Sequence, residues 1–354
     1  MLEIALITDL HFGMRGNNLF FHNNLFRFLE EIFFPYLKEH NIRHLFILGD
    51  TWESRKIVNL ATLHDVKLRF FDVLREMKIN VKMIYGNHDV FYKNTNDVNS
   101  VNLLLREYKN IEVITEYKAF ELFGIKIGMI SWLNPSNIED GLRWINELKA
   151  DILFGHFEID GFGEYDGGVT LTNSLFDRFE YVISGHYHIP SSNGKIFYIG
   201  NPSQTNWAEY GQKRGFTLFD SRNRQLKLIE NPFDVYLKFY YDEDKIDLLT
   251  FDFSIFTNKI IKVYVNSFEL LNRKKFDLFF DSVSKESYTV EIVEVDTNLY
   301  QNESKLKDIK VVDVFSSIVQ YVDAITADAI DKDRITDYFK SIYYQANEIV
   351  STTK

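Results

Sequence analysis

The chain has 354 residues, with 40 Lys and Arg against 51 Asp and Glu, a net charge of −11 and no cysteine. Its length fits one large domain with smaller additions, and the missing cysteines exclude disulfides and thiolate metal ligands. A protein that grips nucleic acid by bulk positive charge is also excluded, because residues 1–231 carry 25 basic and 29 acidic side chains and residues 232–354 carry 15 and 22.

The first apolar run, Leu2–Thr8, reads as a strand and ends at Asp9 and His11. It is too short for a signal peptide and has no basic start, and no later run approaches a membrane span, so an intracellular, cytoplasmic protein is expected. His22–Glu39 follows as a helix, with Leu25, Phe28, Leu29, Ile32, Phe33, Tyr36 and Leu37 at helical spacing. Leu45–Leu48 runs into Gly49 and Asp50. A second helix is expected over Leu60–Met77, a strand over Val81–Tyr85 ending at Gly86, Asn87 and His88, and a third helix over Val98–Tyr108. Ile152–Phe154 leads to Gly155 and His156, and Tyr181–Ile183 to Gly185, His186 and His188. Lys195–Ile199 and Gly215–Phe219 close this region as strands.

Past Asn231 and Pro232 the chain turns aromatic and acidic. Lys259–Asn266 alternates as a strand, Arg273–Ser284 reads as a helix and Ser287–Val295 alternates again. Two apolar helical stripes occupy the tail, one through Val311, Phe315, Ile318 and Val322 and one through Ile335, Phe339 and Ile342, with the polar linker Asp331–Arg334 between them.

Five polar clusters thus sit at the ends of apolar runs, where the strands of an open α/β sheet line a ligand crevice. A glycine immediately precedes Asp50, Asn87, His156 and His186, as a tight turn that lifts a side chain off the sheet requires. Asp, His and Asn in this number are the ligand types of a centre holding two divalent cations roughly 3.5–4 Å apart, the equipment of a phosphoesterase. Such ions repel, so a carboxylate must lie between them, and Asp50 is the natural bridge. Asp9 with His11, and His186 with His188, are two residues apart in extended segments and can reach one ion or one ion each. His22, His40, His44 and His64 lack this company and read as structural or solvent-facing, in helix-like or loop segments.

Asp9-x-His11, Gly49-Asp50, Gly86-Asn87-His88-Asp89, Gly155-His156 and Gly185-His186-Tyr187-His188 resemble the ordered motifs of calcineurin-like metallophosphoesterases. Within them, Gly155–Phe162, Gly49–Lys56, and Tyr198–Pro202 followed by Glu209–Gly215 are similar to the SbcD-type double-strand-break repair nucleases, including the recombination endonuclease subunits of tailed phages. The resemblance covers residues 1 to about 230 and is only architectural beyond. It implies an α/β fold, a β-sandwich flanked by helices, with a small α+β capping domain and a C-terminal helical segment. The corresponding domains are 1–231 (nuclease), 232–305 (capping and DNA selection) and 306–354 (docking of an SMC-like ABC ATPase of the SbcC type).

The resemblance gives one ion to Asp9, His11, Asp50 and His188 and the other to Asp50, Asn87, His156 and His186, with manganese the metal it implies and magnesium, iron or zinc left open by the residues themselves. It leaves His88 beside the scissile phosphate as an acid or charge stabiliser. Glu53 falls where the family places a hydrogen-bond partner for this histidine, and a carboxylate there would raise the imidazole pKa. Arg55, Lys56, Lys213 and Arg214 are candidate phosphate contacts on DNA. Leu63, Phe70, Phe71, Leu103 and Leu104 are candidates for a homodimer contact. The expected activity is metal-dependent 3′–5′ exonuclease and endonuclease cleavage of DNA, in the host cytoplasm if the chain is phage-encoded. A stand-alone phosphatase or cyclic-nucleotide phosphodiesterase and an inactive scaffold are the alternatives.

Overall fold

Glu3–Ile7, sequence EIALI, has both faces buried, and so do its neighbours, because two sheets and two helical layers enclose them. The computed structural model describes residues 2–163, 169–266 and 272–294. Its first sheet has six strands in the order Gln225–Glu230, Gly215–Asp220, Glu3–Ile7, His44–Leu48, Asn80–Ile84 and Ile111–Ile114. The last four are mutually parallel, and Gly215–Asp220 pairs antiparallel with Glu3–Ile7. A second six-stranded sheet runs Ser191–Ser192, Ile196–Tyr198, Tyr181–Gly185, Ile152–His156, Ile125–Ile130 and Tyr117–Leu122.

Period-two alternation divides the apolar residues between layers. Ile4, Leu6, Phe46, Leu48 and Ile84 point inward against Ile127, Met129, Phe154 and Ile183 of the second sheet. Ala5, Ile7, Leu45, Ile47, Val81 and Met83 point outward against the helical layer. The far face of the second sheet, through Leu153 and Val182, packs on Ile145 of helix Ile138–Glu147 and on Phe157 and Phe176. The result is the expected helix-flanked β-sandwich.

The helical layer holds the segments expected over 22–39 and 60–77, with a feature that periodicity did not indicate. Leu19–Phe28 passes through a π turn at Leu29–Phe33 into Phe34–Glu39, and Leu60–Val66 through a π turn at Lys67–Phe71 into Asp72–Glu76. Asn18 and Asn59 cap the two starts, accepting from Phe20 N and from Ala61 N and Thr62 N. In the second helix Phe70 and Phe71 are fully buried in the core. Each contributes about 1.5–3 kcal/mol by that burial, so neither is available for the dimer contact expected of them. Leu63 and Leu104 are half-buried and only Leu103 is well exposed. The helix expected over 98–108 is a single short one, Ser100–Leu104. His44 lies in a strand rather than a helix or loop, and His22 is buried with Nε2 2.5 Å from Asp65 Oδ2, a structural pairing.

After residue 231 a third sheet forms, in the order Tyr236–Tyr240, Ile260–Val265 and Thr289–Glu294, with helix Arg273–Glu286 against it through Phe276, Phe279 and Val283. Its first strand was not expected from the sequence. This sheet contacts the helical layer where the Phe20 and Tyr288 rings stack at 4.0 Å and Arg27 lies over Phe233. The expected docking segment 306–354, with Val311, Phe315, Ile318, Val322, Ile335, Phe339 and Ile342, lies outside the described residues, as does the end of the capping segment beyond residue 294.

Candidate metal centre

Three parallel strands of the first sheet and two of the second carry the seven predicted ligands at their carboxyl ends, His156 as the last strand residue and the others just past the strand ends. Backbone conformation there is unusual. Asp9, His11, Asp50 and His186 have φ of 51°, 44°, 48° and 94°, a left-handed region that costs non-glycine residues about 1–3 kcal/mol each. Hydrogen bonds from Asp9 N to Gly49 O (3.1 Å) and from His11 N to Asp50 O (3.0 Å) hold the two turns together. Gly49 needs its φ of 94°, whereas Gly86 and Gly185 are required by crowding: a Cβ would strike the Asp50 carboxyl at Gly86, and Thr8 Oγ1 and the Leu48 carbonyl at Gly185.

Two sets of ligand atoms converge at these strand ends. In the first, His11 Nε2 and His188 Nε2 face each other at 3.0 Å. The outer nitrogen of each is turned to a carboxylate, His11 Nδ1 lying 2.8 Å from Glu53 Oε2 and His188 Nδ1 3.2 Å from Glu209 Oε1. Asp9 Oδ1 and Asp50 Oδ2 complete the set at 3.9 and 3.8 Å from His11 Nε2. In the second, His156 donates from Nδ1 to Leu48 O (2.8 Å), which aims Nε2 at Asp50 Oδ2 (3.3 Å) and Asn87 Oδ1 (3.1 Å). His186 Nδ1 reaches the same Asn87 oxygen at 3.2 Å. Asp50 Oδ2 therefore belongs to both sets, while Asp50 Oδ1 accepts from His88 N at 2.8 Å.

Neutral imidazoles in these tautomers present lone pairs to one another and to oxygens, an arrangement that only cations or extra protons satisfy. The Asn87 amide makes the same point. With its oxygen inward it faces only acceptors, and with its nitrogen inward it donates to His156, Asp50 and His186 while its oxygen takes Arg55 Nη2 at 3.3 Å. Hard oxygens and imidazole nitrogens in this mixture fit divalent metals.

Protons occupy the cluster when metal does not. Burial pushes the His11 imidazole down, but Glu53, Asp50 and Asp9 outweigh it and raise it to about 9. Burial likewise opposes protonation of His156, and Asp50 raises it to about 9. Asp50, despite its burial, is held well below the usual carboxylate range by His156, His88 and His11. Each ion must therefore displace a proton. Below pH 9 the affinity of each site should rise up to about tenfold per pH unit and flatten above it. Calorimetry in buffers of different ionisation enthalpy should count close to two protons released at pH 7. Affinities independent of pH between 7 and 9 would show both rings already neutral.

His88 is half-buried, outside both lone-pair sets, with Nδ1 2.6 Å from the backbone carbonyl of Glu53. The Glu53 role expected from the sequence is thereby corrected: its main chain holds His88 and its carboxylate serves His11. Arg55 lies at the rim, 5.4 Å over the Trp132 ring, and Lys56 is exposed. Lys213 is exposed and paired with Glu230 at 2.6 Å.

Arg214 is corrected outright as a DNA contact. It is only 3% exposed, donates from Nη1 to His188 O (3.0 Å) and Asn201 Oδ1, and lies 3.6 Å from Glu209 Oε2. Arg214→Ala should lower the melting temperature, since breaking a buried pair costs about 3–5 kcal/mol. The salt dependence of DNA binding should stay as it is; a log–log slope shallower by about one unit would restore the phosphate contact.

Three residues given no role by the sequence support the site. Asp89 is buried and ties the two turns together, Oδ1 accepting from Thr51 N (3.0 Å) and Trp52 N (3.1 Å) and Oδ2 from Gly86 N (2.9 Å). Glu158 is buried with Oε2 3.9 Å from His186 Nε2. Glu209 carries the partner contact to His188. Asp89 and Glu158 stand within two residues of ligands, and that adjacency was the available signal.

The calcineurin-like phosphoesterase signature matches residues 2–190, more than half of the chain. The chain belongs to the calcineurin-like phosphoesterase family. Among its phosphoesterase relatives is the exonuclease subunit 1 of Enterobacteria phage T4, 25% identical over 353 residues that cover 98% of this chain and 100% of that protein. The SbcD component of the SbcCD nuclease of Staphylococcus epidermidis is 28% identical over 260 residues, 64% of this chain and 67% of that one. Among the described residues of this phosphoesterase no helix is long and apolar enough to cross a membrane.

Proposed function

We propose that this chain is the nuclease subunit of a DNA-processing complex of the SbcCD type, hydrolysing phosphodiesters as a 3′–5′ exonuclease and endonuclease. The observation that carries the chemistry is the sharing of Asp50 Oδ2 between two converging ligand sets. DNA as substrate rests on the full-length similarity to the phage exonuclease subunit. Asp9, His11, Asp50 and His188 would hold one divalent cation and Asp50, Asn87, His156 and His186 the other, with manganese the preferred ion. Bound there, the pair supplies positive charge for the phosphate and a hydroxide-like nucleophile at neutral pH. His88, fixed through Nδ1 by Glu53 O, directs Nε2 to the leaving oxygen and delivers a proton or stabilises its charge. Arg55, at the rim beside Asn87, contacts a substrate phosphate, with Lys56 further out.

Residues 232–305 act as a capping domain over the nuclease domain 1–231, and 306–354 docks the coiled-coil base of an SMC-like ATPase. A homodimer forms through the exposed Leu103 with the half-buried Leu63 and Leu104, Phe70 and Phe71 being buried in the core. The test is incubation of the full chain with manganese and linear, hairpin and circular single-stranded DNA beside a phosphomonoester. Cleavage of DNA that disappears on chelation supports the reading. Hydrolysis of the monoester alone would make the protein a phosphatase, and metal binding without any hydrolysis, even with the ATPase added, a scaffold.

A further inference from the structure

Glu209 lies 21 residues after His188, yet its carboxylate is among the most heavily bonded groups in the molecule. It is 1% exposed. Oε1 faces His188 Nδ1 at 3.2 Å and accepts from Thr205 Oγ1 at 2.9 Å, and Oε2 accepts from Thr205 N at 2.6 Å.

The far side of the same segment is held by the third sheet. Gln204 is 2% exposed, its Oε1 accepting from Val235 N (2.8 Å) and Tyr236 N (3.1 Å) at the start of strand Tyr236–Tyr240. The Tyr236 hydroxyl donates to Thr205 O at 2.9 Å. That carbonyl also receives Arg15 Nε (3.0 Å) and Nη2 (2.6 Å). Arg15 itself has a left-handed φ of 53°, four residues beyond His11. Thr205 thus has its carbonyl bonded to the third sheet and its N–H and hydroxyl bonded to the partner of His188.

We propose that Glu209 is a positioning residue that orients His188 as a ligand, and that Thr205 couples this ligand to the third sheet through Tyr236 and Gln204. The inference rests on the two-metal reading given above. A carboxylate on the outer nitrogen of a histidine fixes its tautomer and strengthens it as a ligand; loss of such a partner weakens metal binding about 10–100-fold. A shift of strand Tyr236–Tyr240 pulls on the Thr205 peptide, and the Glu209 carboxylate, bonded to the N–H and hydroxyl of that residue, moves with it. Displacement of the third sheet is then felt at one ion site and not at the other, where His156 is oriented by Leu48 O.

Manganese titration of the metal-free full-length protein, by calorimetry and by electron paramagnetic resonance of the free ion, tests this without an activity assay. Wild type should bind two ions. Glu209→Ala should weaken one of the two about 10–100-fold and leave the other unchanged. Glu209→Gln, which keeps an acceptor for His188 Nδ1–H without the charge, should restore part of the loss. Tyr236→Phe removes one hydroxyl far from the ions and should weaken the same site a few-fold. A purely structural Glu209 would lower the melting temperature and leave both affinities of the folded protein intact, which overturns the proposal. If Glu209→Ala does not fold, Glu209→Gln and Tyr236→Phe decide, and wild-type isotherms for both overturn it. A wild type that binds no manganese would overturn the two-metal reading together with the coupling built on it.

Discussion

Asp50→Ala is expected to remove both ions at micromolar manganese and abolish hydrolysis while the fold persists. One atom carries this effect, because Asp50 Oδ2 stands 3.8 Å from His11 Nε2 and 3.3 Å from His156 Nε2. Two unit charges about 4 Å apart repel by roughly 4 kcal/mol at an effective dielectric near 20, and the product of two divalent charges is four times larger. Asp9 also comes within 4.8 Å of His156, but among the described carboxylates only Asp50 stands within 4 Å of a histidine ring nitrogen in each set. Without Asp50 the second set keeps only the neutral Asn87 and two imidazoles. The turn should survive, because His11 N bonds the main-chain oxygen at residue 50 and Asp89 holds Thr51 N and Trp52 N. Circular dichroism should be unchanged and elemental analysis should find less than one ion per chain. Two ions retained by the variant would disprove the bridging role.

The sequence made the strands legible because buried parallel strands are short apolar runs, and each run here is followed directly by its ligands. Residues that act through main-chain atoms or distant partners were harder to read. Glu53 was expected to serve His88 with its carboxylate, but a residue number does not say which of its oxygens faces the site. Arg214 looked like half of a surface pair with Lys213, and only the folded chain places it under His188. Of the four glycines before ligands only Gly49 has the left-handed φ of a tight turn; at Gly86, Gly155 and Gly185 a neighbouring group stands where a Cβ would be. The homodimer contact implied by the resemblance does not fit Phe70 and Phe71, which face the core. Val66, Phe70 and Leu74 recur every four residues on the buried face, and the π turn Lys67–Phe71 brings Phe71 into the core beside Phe70.

His88→Ala should separate chemistry from metal binding. His88 contributes no atom to the two lone-pair sets, and its Nδ1 is already bonded to Glu53 O. Both ions should therefore be retained, with affinities within a few-fold of wild type. Cleavage of DNA should fall about 10²–10⁴-fold, the usual contribution of a positioned acid. The leaving group separates proton delivery from charge stabilisation. A nitrophenyl phosphodiester departs without needing a proton, so an acid role predicts a much smaller loss on that substrate than on DNA. Equal losses on both would assign His88 to stabilising charge on the phosphoryl oxygens. Loss of an ion in the variant would instead make His88 a ligand, in the company of His11 and Glu53, whose ligand atoms lie within 4.8 Å of its own. Elemental analysis beside the two rate measurements distinguishes the three roles.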